Sequence, residues 1–213
     1  MKRVIVFLKT CLYALPLFLS SLHAKSQPFA IKYDSARLWT LIFLKVTKVK
    51  IKIHHKNHLP LKEGVLFVVI NNSSIDQEIC MSVFTSPFVS ILTSSQRLYM
   101  ISKSWQKTVE TIVLPKMLDE KYFKESLNVA CFVERYDLIS DQLLDLVIKH
   151  RYPIMLIDID QAHRVIDEQP LWRSVVDVSM NIPIVAEEYS DLSLTQLKHL
   201  ILERKEGTIY EHD

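Results

Sequence analysis

The sequence predicts an α/β fold with a largely parallel central sheet and helices on both sides. Short apolar segments of strand length alternate along the chain with segments of helical periodicity. The helical segments are about 10–15 residues long, which is typical of crossovers between parallel strands. With 213 residues, 49% of them hydrophobic, the chain is long enough for one domain with its own core.

The first 26 residues read as a membrane anchor. Lys2 and Arg3 precede an apolar run from 4 to 22, in which Lys9 is the one charged residue. As a helix this run would span roughly 28 Å, close to the hydrocarbon thickness of a bilayer. The alternative is a cleaved signal peptide, because small residues precede a possible cleavage point near Ser26.

Residues 27–46 are predicted to be an interfacial segment or linker, because a second apolar stretch with cations follows at 37–50 and could lie in the membrane interface. Residues 1–62 hold twelve lysines and arginines against one acid, Asp34, whereas residues 63–213 carry a net charge of −9. A basic arm beside an apolar segment attracts anionic lipid headgroups. No basic stripe interleaved with aromatic residues continues into the body, so membrane phospholipid rather than nucleic acid is the expected partner.

The body is expected to span residues 47–213, beginning with a strand over 47–53. Lysines alternate there with apolar residues, which indicates an edge strand or, as the alternative, a lipid- or substrate-binding face. An apolar strand over 65–70 and a helix near 75–84 follow. The other predicted strands are 89–94, 99–103, 130–135, 153–159 and 182–188, and the other predicted helices are 104–117, 138–151, 171–180 and 194–206.

The composition excludes several kinds of site. Two glycines, Gly64 and Gly207, are too few for a dinucleotide fingerprint, a phosphate-binding loop or a hydrolase nucleophile elbow. The three widely spaced cysteines, Cys11, Cys80 and Cys131, favour buried free thiols over disulfides. No metal site is predicted, because His54 and His58 have no evident third ligand.

Three polar clusters follow predicted strands, and the carboxyl ends of parallel strands lie at one edge of a sheet. The clusters are 71–76, 134–135 and 158–164. In the first, Ser74 and Gln77 have the spacing of a capping box, which is the structural alternative to a functional site. In the third, Asp158 and Asp160 could together bind a divalent cation and a nucleotide-sugar diphosphate.

The order of these segments resembles the glycerolipid acyltransferases of the 1-acylglycerol-3-phosphate type. "GVLFVVINNSSID" resembles their first motif, Asn-His-x-x-x-x-Asp, and "ACFVERYD" resembles the second motif, whose arginine binds the substrate phosphate. "LLDLVIKHRYPIMLIDIDQAHR" is similar to the segment of the third motif, Phe-Pro-Glu-Gly-Thr-Arg. "IPIVAEE" resembles the fourth, Val-Pro-Ile-Val-Pro. The resemblance runs from about Lys45 to Glu187.

The resemblance implies transfer of an acyl chain from acyl-CoA or acyl-carrier protein to a lysophospholipid or glycerol phosphate, with no other cofactor. It also implies a body on the cytoplasmic face of the membrane. Asp76 is then the carboxylate that orients the general base, and Asn71 occupies the base position, or Asn72 if one residue is deleted. The implied phosphate-binding residues are Arg135, Asp160 and Arg164, and His163 is the histidine that could replace the missing base.

The departures from the family pattern fall on the chemistry. A carboxamide has no pKa near neutrality, so Asn71 cannot take a proton from an attacking hydroxyl, a role that typically contributes 10²–10⁴-fold to the rate. The Gly and Thr of the third motif are also replaced. Two hypotheses therefore remain: an acyltransferase that retains Asp76 and Arg135, and an inactive homologue that binds lipid or a partner protein.

Overall fold

The computed structural model describes residues 26–58, 64–70, 73, 75–92, 110–114, 118–160, 162 and 175–210. The helices in these residues are α1 (Phe29–Thr47), α2 (Asp76–Val83), α3 (Lys121–Lys124), α4 (Asp141–His150), α5 (Ala186–Tyr189) and α6 (Leu194–Tyr210). The strands are β1 (Lys50–His54), β2 (Leu66–Ile70), β3 (Phe88–Leu92), β4 (Thr111–Val113), β5 (Asn128–Val133), β6 (Ile154–Asp160) and β7 (Val175–Met180).

The described strands form one sheet in the order β1-β7-β6-β2-β5-β3-β4. The five strands from β6 to β4 are parallel to one another. Strand β7 is antiparallel to β6, and β1 is parallel to β7, so these two strands run the other way. The predicted α/β fold is confirmed, with a sheet that is mostly rather than wholly parallel.

Alternation along each strand divides the interior into two apolar layers. Phe67 and Val69 of β2 face the first layer, which helices α1 and α2 cover. Leu66 and Val68 face the second layer, which helices α3 to α6 cover. Because both faces of the central strands are buried, those strands read in the sequence as continuous apolar runs.

Helix α1 packs on the first layer rather than standing apart from the body. Tyr33 and Leu44 are buried, and the Tyr33 ring meets the Phe88 ring edge-on at 5.3 Å. The opposite side of α1 exposes apolar side chains, with Ile31 49% and Leu38 57% accessible. Among the described residues, no helix combines the length and apolar character needed to cross a bilayer. Residues 1–25 of the predicted anchor at 1–26 lie outside them.

Strand β1 lies at the edge of the sheet, as its lysines predict. Lys50 and Lys52 are exposed, while Ile51 and Ile53 pack against the first layer. The alternating pattern therefore reflects one apolar and one solvated face, and β1 pairs on one side with β7.

Two predictions near the end of the chain are wrong. The predicted helix 171–180 is strand β7 over its described part, where Val176, Val178 and Met180 are buried with a period of two. The predicted strand 182–188 forms a single bridge, between Ile184 and Ile154, followed by helix α5. Short apolar runs do not by themselves distinguish a strand from a buried helix. Over 175–180, β-branched valines alternate with polar residues, and this pattern favours a strand.

Two further local predictions fail for similar reasons. Residues 111–113 form strand β4 instead of part of a helix, since Thr-Ile-Val is rich in β-branched side chains. On the Gln77 side the capping box is not seen, because the Gln77 amide nitrogen donates to Ser90 and its oxygen accepts no hydrogen bond among the described residues, which do not include Ser74. The predicted strand 99–103 and the rest of the predicted helix 104–117 lie outside the described residues, apart from 110 and 114.

Buried polar side chains join the strands at the amino edge of the sheet. The Asn128 Oδ1 accepts hydrogen bonds from the backbone amides of Gly64 and Val65, both at 3.1 Å. Its Nδ2 donates to the Pro87 carbonyl at 3.3 Å. One side chain thus ties the starts of β2 and β5 to the residue before β3.

Candidate functional site

The candidate site lies at the carboxyl ends of three neighbouring parallel strands, β2, β5 and β6. Ile70, the last residue of β2, pairs with Val133, the last residue of β5. On the other side Val69 pairs with Ile157 of β6. The segments that follow these strands therefore leave the sheet side by side. Of the predicted site residues, Asp76, Arg135 and Asp160 are described, and Asn71, His163 and Arg164 lie outside the described residues.

Asp76 is the first residue of α2 and is 1% exposed. Its Oδ2 accepts a hydrogen bond from the backbone amide of Ser73 at 2.9 Å, so the carboxylate fixes the turn that leads into the helix. The helix N-terminus also favours a negative charge at this position. The next carboxylate on the helix, Glu78, is equally buried.

The buried carboxylates at the start of α2 contribute to a raised pKa of the neighbouring Cys80 thiol. Burial raises the pKa of Cys80 well above its ordinary value, and the negative charges of Asp76 and Glu78 raise it further. Burial alone raises the pKa of Cys131 to about 12. Both residues are therefore inert free thiols, as the cysteine spacing predicts for these two.

Arg135 lies two residues beyond β5, and its side chain is 74% exposed. Its Nε and Nη2 donate to the two carboxylate oxygens of Asp137 at 2.9 and 2.6 Å. The hydrogen bond to Arg135 lowers the pKa of Asp137 and the same pairing raises the pKa of Arg135, so both remain charged near neutrality. A phosphate could take the place of Asp137 in this bidentate pair or bind the remaining Nη1 and Nη2 hydrogens on the other edge of the guanidinium.

At the end of β6 the two acids of the predicted cation site differ in their surroundings. Asp158 pairs with Lys205 of α6, while Asp160 is exposed. The lysine neutralises Asp158, which makes this carboxylate a poor ligand for a cation. No group of three or more metal-binding side chains occurs in the part of the chain that the structure describes.

Tyr136, three residues beyond β5, is near enough to Asp158 to be affected by its charge. It is 7% exposed, and its hydroxyl has no hydrogen-bond partner among the residues that the structure describes. Burial raises the pKa of Tyr136, and the negative charge of Asp158 raises it further. The Tyr136 hydroxyl therefore stays protonated at all physiological pH values.

The described histidines engage other groups. His54 ends β1, three strands from β2, which corresponds to roughly 14 Å across the sheet. Its Nε2 lies 2.9 Å from an Asp177 oxygen, and His58 Nδ1 lies 3.0 Å from the Met180 carbonyl. His150 pairs with Glu120, and His199 pairs with Glu203.

Three contacts at the candidate site were not predicted. Asp137 could have been noticed, because an aspartate two residues after an arginine can pair with it locally. The bond between Gln77 and Ser90 and the ion pair between Asp158 and Lys205 have no sequence signal, because each joins separate elements.

Neither a protein-family model nor a curated protein matches the sequence. Among solved structures, the chain is similar to the crystal structure of the 1-acyl-sn-glycerophosphate (LPA) acyltransferase, PlsC, from Thermotoga maritima. The two share a TM-score of 0.62 and 12% identity over 99% of this chain and 97% of that chain. The likeness shows that the chain has an acyltransferase-like fold, with a mostly parallel seven-stranded sheet in its described residues.

Proposed function

We propose that the protein is an acyltransferase of glycerolipid metabolism. It would move an acyl chain from acyl-CoA or acyl-carrier protein to a lysophospholipid or glycerol phosphate. The observation that carries the proposal is the pairing of Ile70 with Val133, which brings the segments of the first two motifs to adjacent strand ends on an acyltransferase-like fold.

In the proposed reaction the acceptor hydroxyl attacks the thioester carbonyl carbon. A carbon–oxygen bond forms, the carbon–sulfur bond breaks, and the hydroxyl proton passes to a base and then to the leaving thiolate. Arg135 would hold the acceptor phosphate by exchanging Asp137 for phosphate oxygens, with Asp160 and Arg164 as further contacts. Asp76 would orient the base, for which His163 is the proposed side chain.

A second candidate function is an inactive homologue that binds lipid or a partner protein at the membrane. Two observations favour it. The family's base position holds Asn71 or Asn72, and one oxygen of Asp76 already accepts the Ser73 amide. A carboxylate in that role stabilises a turn whether or not an imidazole is present, so its retention does not require catalysis.

We also propose that the protein is bound to the membrane through residues 1–26, with the body on the cytoplasmic face. The apolar side chains exposed on α1 and the exposed lysines Lys48, Lys50 and Lys52 support contact with a membrane surface, and the cytoplasmic face is what the family resemblance implies. Alkaline carbonate extraction of membranes should leave the protein in the pellet. N-terminal sequencing that finds a start at Gln27 would instead indicate export after cleavage near Ser26.

The activity experiment supplies membrane-bound protein with lysophosphatidate and labelled acyl-CoA. We expect labelled phosphatidate from the parent protein and at least a tenfold lower rate in Asp76→Asn, with Asp119→Asn, an exposed acid beside α3, as the matched control. Equal rates in the two variants would count against a catalytic role for the site.

A parent protein without turnover would favour the second candidate. In that case, product formed by Asn71→His or Asn72→His would show that the missing base is what separates this chain from an active enzyme. Lysophosphatidate binding by the inactive parent would identify lipid rather than a partner protein as the ligand.

A further inference from the structure

We propose that Gln77 is a positioning residue for Asp76, acting through Ser90 and Thr111. This inference deepens the proposed function, since it concerns the same site. It rests on a buried hydrogen-bond network that joins the start of α2 to two strands.

Gln77 is 2% exposed, although glutamine is mostly found at protein surfaces. Its Nε2 donates to the Ser90 Oγ of β3 at 2.8 Å and lies 3.3 Å from the Thr111 Oγ1 of β4. Ser90 is itself 1% exposed. One amide nitrogen therefore connects α2 to two strands in the first apolar layer.

Helix α2 has only eight residues, and its two ends are fixed differently. Just after its C-terminal end the Phe84 ring stacks on Phe67 at 4.3 Å and meets Phe88 edge-on at 5.9 Å. Such contacts are apolar and tolerate some rotation of the helix about its axis. At the N-terminal end, Ile75 and Ile79 also pack in the first layer. The residues between them are polar, so directional hydrogen bonds there restrict the rotation further.

Gln77 and Asp76 are adjacent on the helix, so the rotation that Gln77 fixes also sets the direction of the Asp76 carboxylate. That carboxylate meets the Ser73 amide at 2.9 Å, and this distance is sensitive to a small rotation. Among the described residues the Gln77 oxygen accepts no hydrogen bond, so the contacts that orient the amide there are its two donor contacts. Loss of the hydrogen bonds from Gln77 to Ser90 and Thr111 should therefore weaken the Ser73–Asp76 hydrogen bond without unfolding the protein.

The experiment measures amide hydrogen exchange by NMR on the full chain in detergent. The readout is exchange at Ser73 divided by exchange at Val129, whose amide donates to the Val65 carbonyl in the central sheet. The variants are Gln77→Met, which keeps the size but cannot donate, Ser90→Ala, and the double variant. Ser82→Ala is the control, because the Ser82 hydroxyl donates to the Ile79 carbonyl of the same helix at 2.7 Å.

We expect the Ser73 ratio to rise roughly three- to tenfold in Gln77→Met, as for loss of one buried hydrogen bond. It should rise by less in Ser90→Ala, because Thr111 remains, and the double variant should add nothing to Gln77→Met. The ratio should not change in Ser82→Ala. If Ser73 and Val129 accelerate together in both Gln77→Met and Ser90→Ala, Gln77 is merely structural and the proposal is wrong.

A second readout depends on catalysis. If the parent turns over lysophosphatidate, Gln77→Met should lower kcat while leaving KM unchanged, because Gln77 does not contact substrate. A parent without turnover overturns the proposed reaction alone. The exchange ratio then still decides whether Gln77 positions Asp76.

Discussion

Arg135 donates two hydrogen bonds to the Asp137 carboxylate, from Nε at 2.9 Å and from Nη2 at 2.6 Å, and one residue separates the two in the chain. The arginine that the second motif offers to a phosphate therefore has a carboxylate on one of the two guanidinium edges where phosphate oxygens could bind. Asp137 is thus a competitor for the substrate, and because the pair is exposed, the competition is weak.

Replacing Asp137 by Asn should strengthen lysophosphatidate binding. The amide keeps the shape of the side chain but removes the negative charge beside Arg135, so the phosphate no longer competes with an anion or is repelled by it. We expect a roughly two- to fivefold lower Kd in isothermal titration calorimetry, in line with an exposed ion pair. Asp119→Asn makes the same charge change beside α3. An equal gain in that control would show that net charge, not the Arg135 pair, is responsible.

The Glu120 ion pairs should make stability depend on pH in acid. Hydrogen bonds from Lys149 at 2.8 Å and His150 at 3.1 Å lower the pKa of Glu120 from 4.5 to about 2. A pKa lowered by folding stabilises the folded state above the unfolded-state pKa, and this contribution is lost as the pH falls from about 4.5 to about 2. The Tm of the parent should therefore exceed that of Glu120→Gln at pH 6, with the difference vanishing near pH 2. A difference that is constant across this range would contradict the assignment.

Asn128→Ala should be among the most destabilising single changes at the amino edge of the sheet. It leaves the buried amides of Gly64 and Val65 without their acceptor. We expect a loss of about 2–4 kcal/mol in the free energy of unfolding, measured by urea denaturation. Asn57→Ala, on an exposed turn, is the control and should change stability by less than about 0.5 kcal/mol.

Arg151→Gly should stabilise the protein. Arg151 directly follows α4 and caps it in the left-handed conformation, with φ 55° and ψ 43°, where its amide donates to the carbonyls of Val147 and Ile148. Glycine adopts this conformation without the Cβ clash, so we expect a gain of about 0.5–1 kcal/mol in urea denaturation. Arg151→Ala keeps the Cβ and removes the rest of the side chain. A gain of the same size in Arg151→Ala would assign the effect to the side chain instead of to backbone strain.

The accuracy of sequence-based prediction varied with the kind of signal. The strands β2, β5 and β6 were predicted within two residues because they are apolar runs that the sheet buries on both faces. Strand β7 was mistaken for a helix, because its alternation of Val, Asp, Val and Ser is a weaker signal than a continuous apolar run. A capping box was predicted from Gln77 by spacing alone, whereas the side chain turns inward to Ser90.

The sequence by itself determined the alternating α/β architecture, the basic first third of the chain and the carboxamide where the resembled family has its base. These properties depend on the identity and local spacing of side chains. Only the tertiary structure decided that β1 and β7 run against the other strands, that Gln77 reaches β3 and that Lys205 neutralises Asp158. The reason is that such partners are brought together by strand register and helix docking, which are set by packing over the whole core.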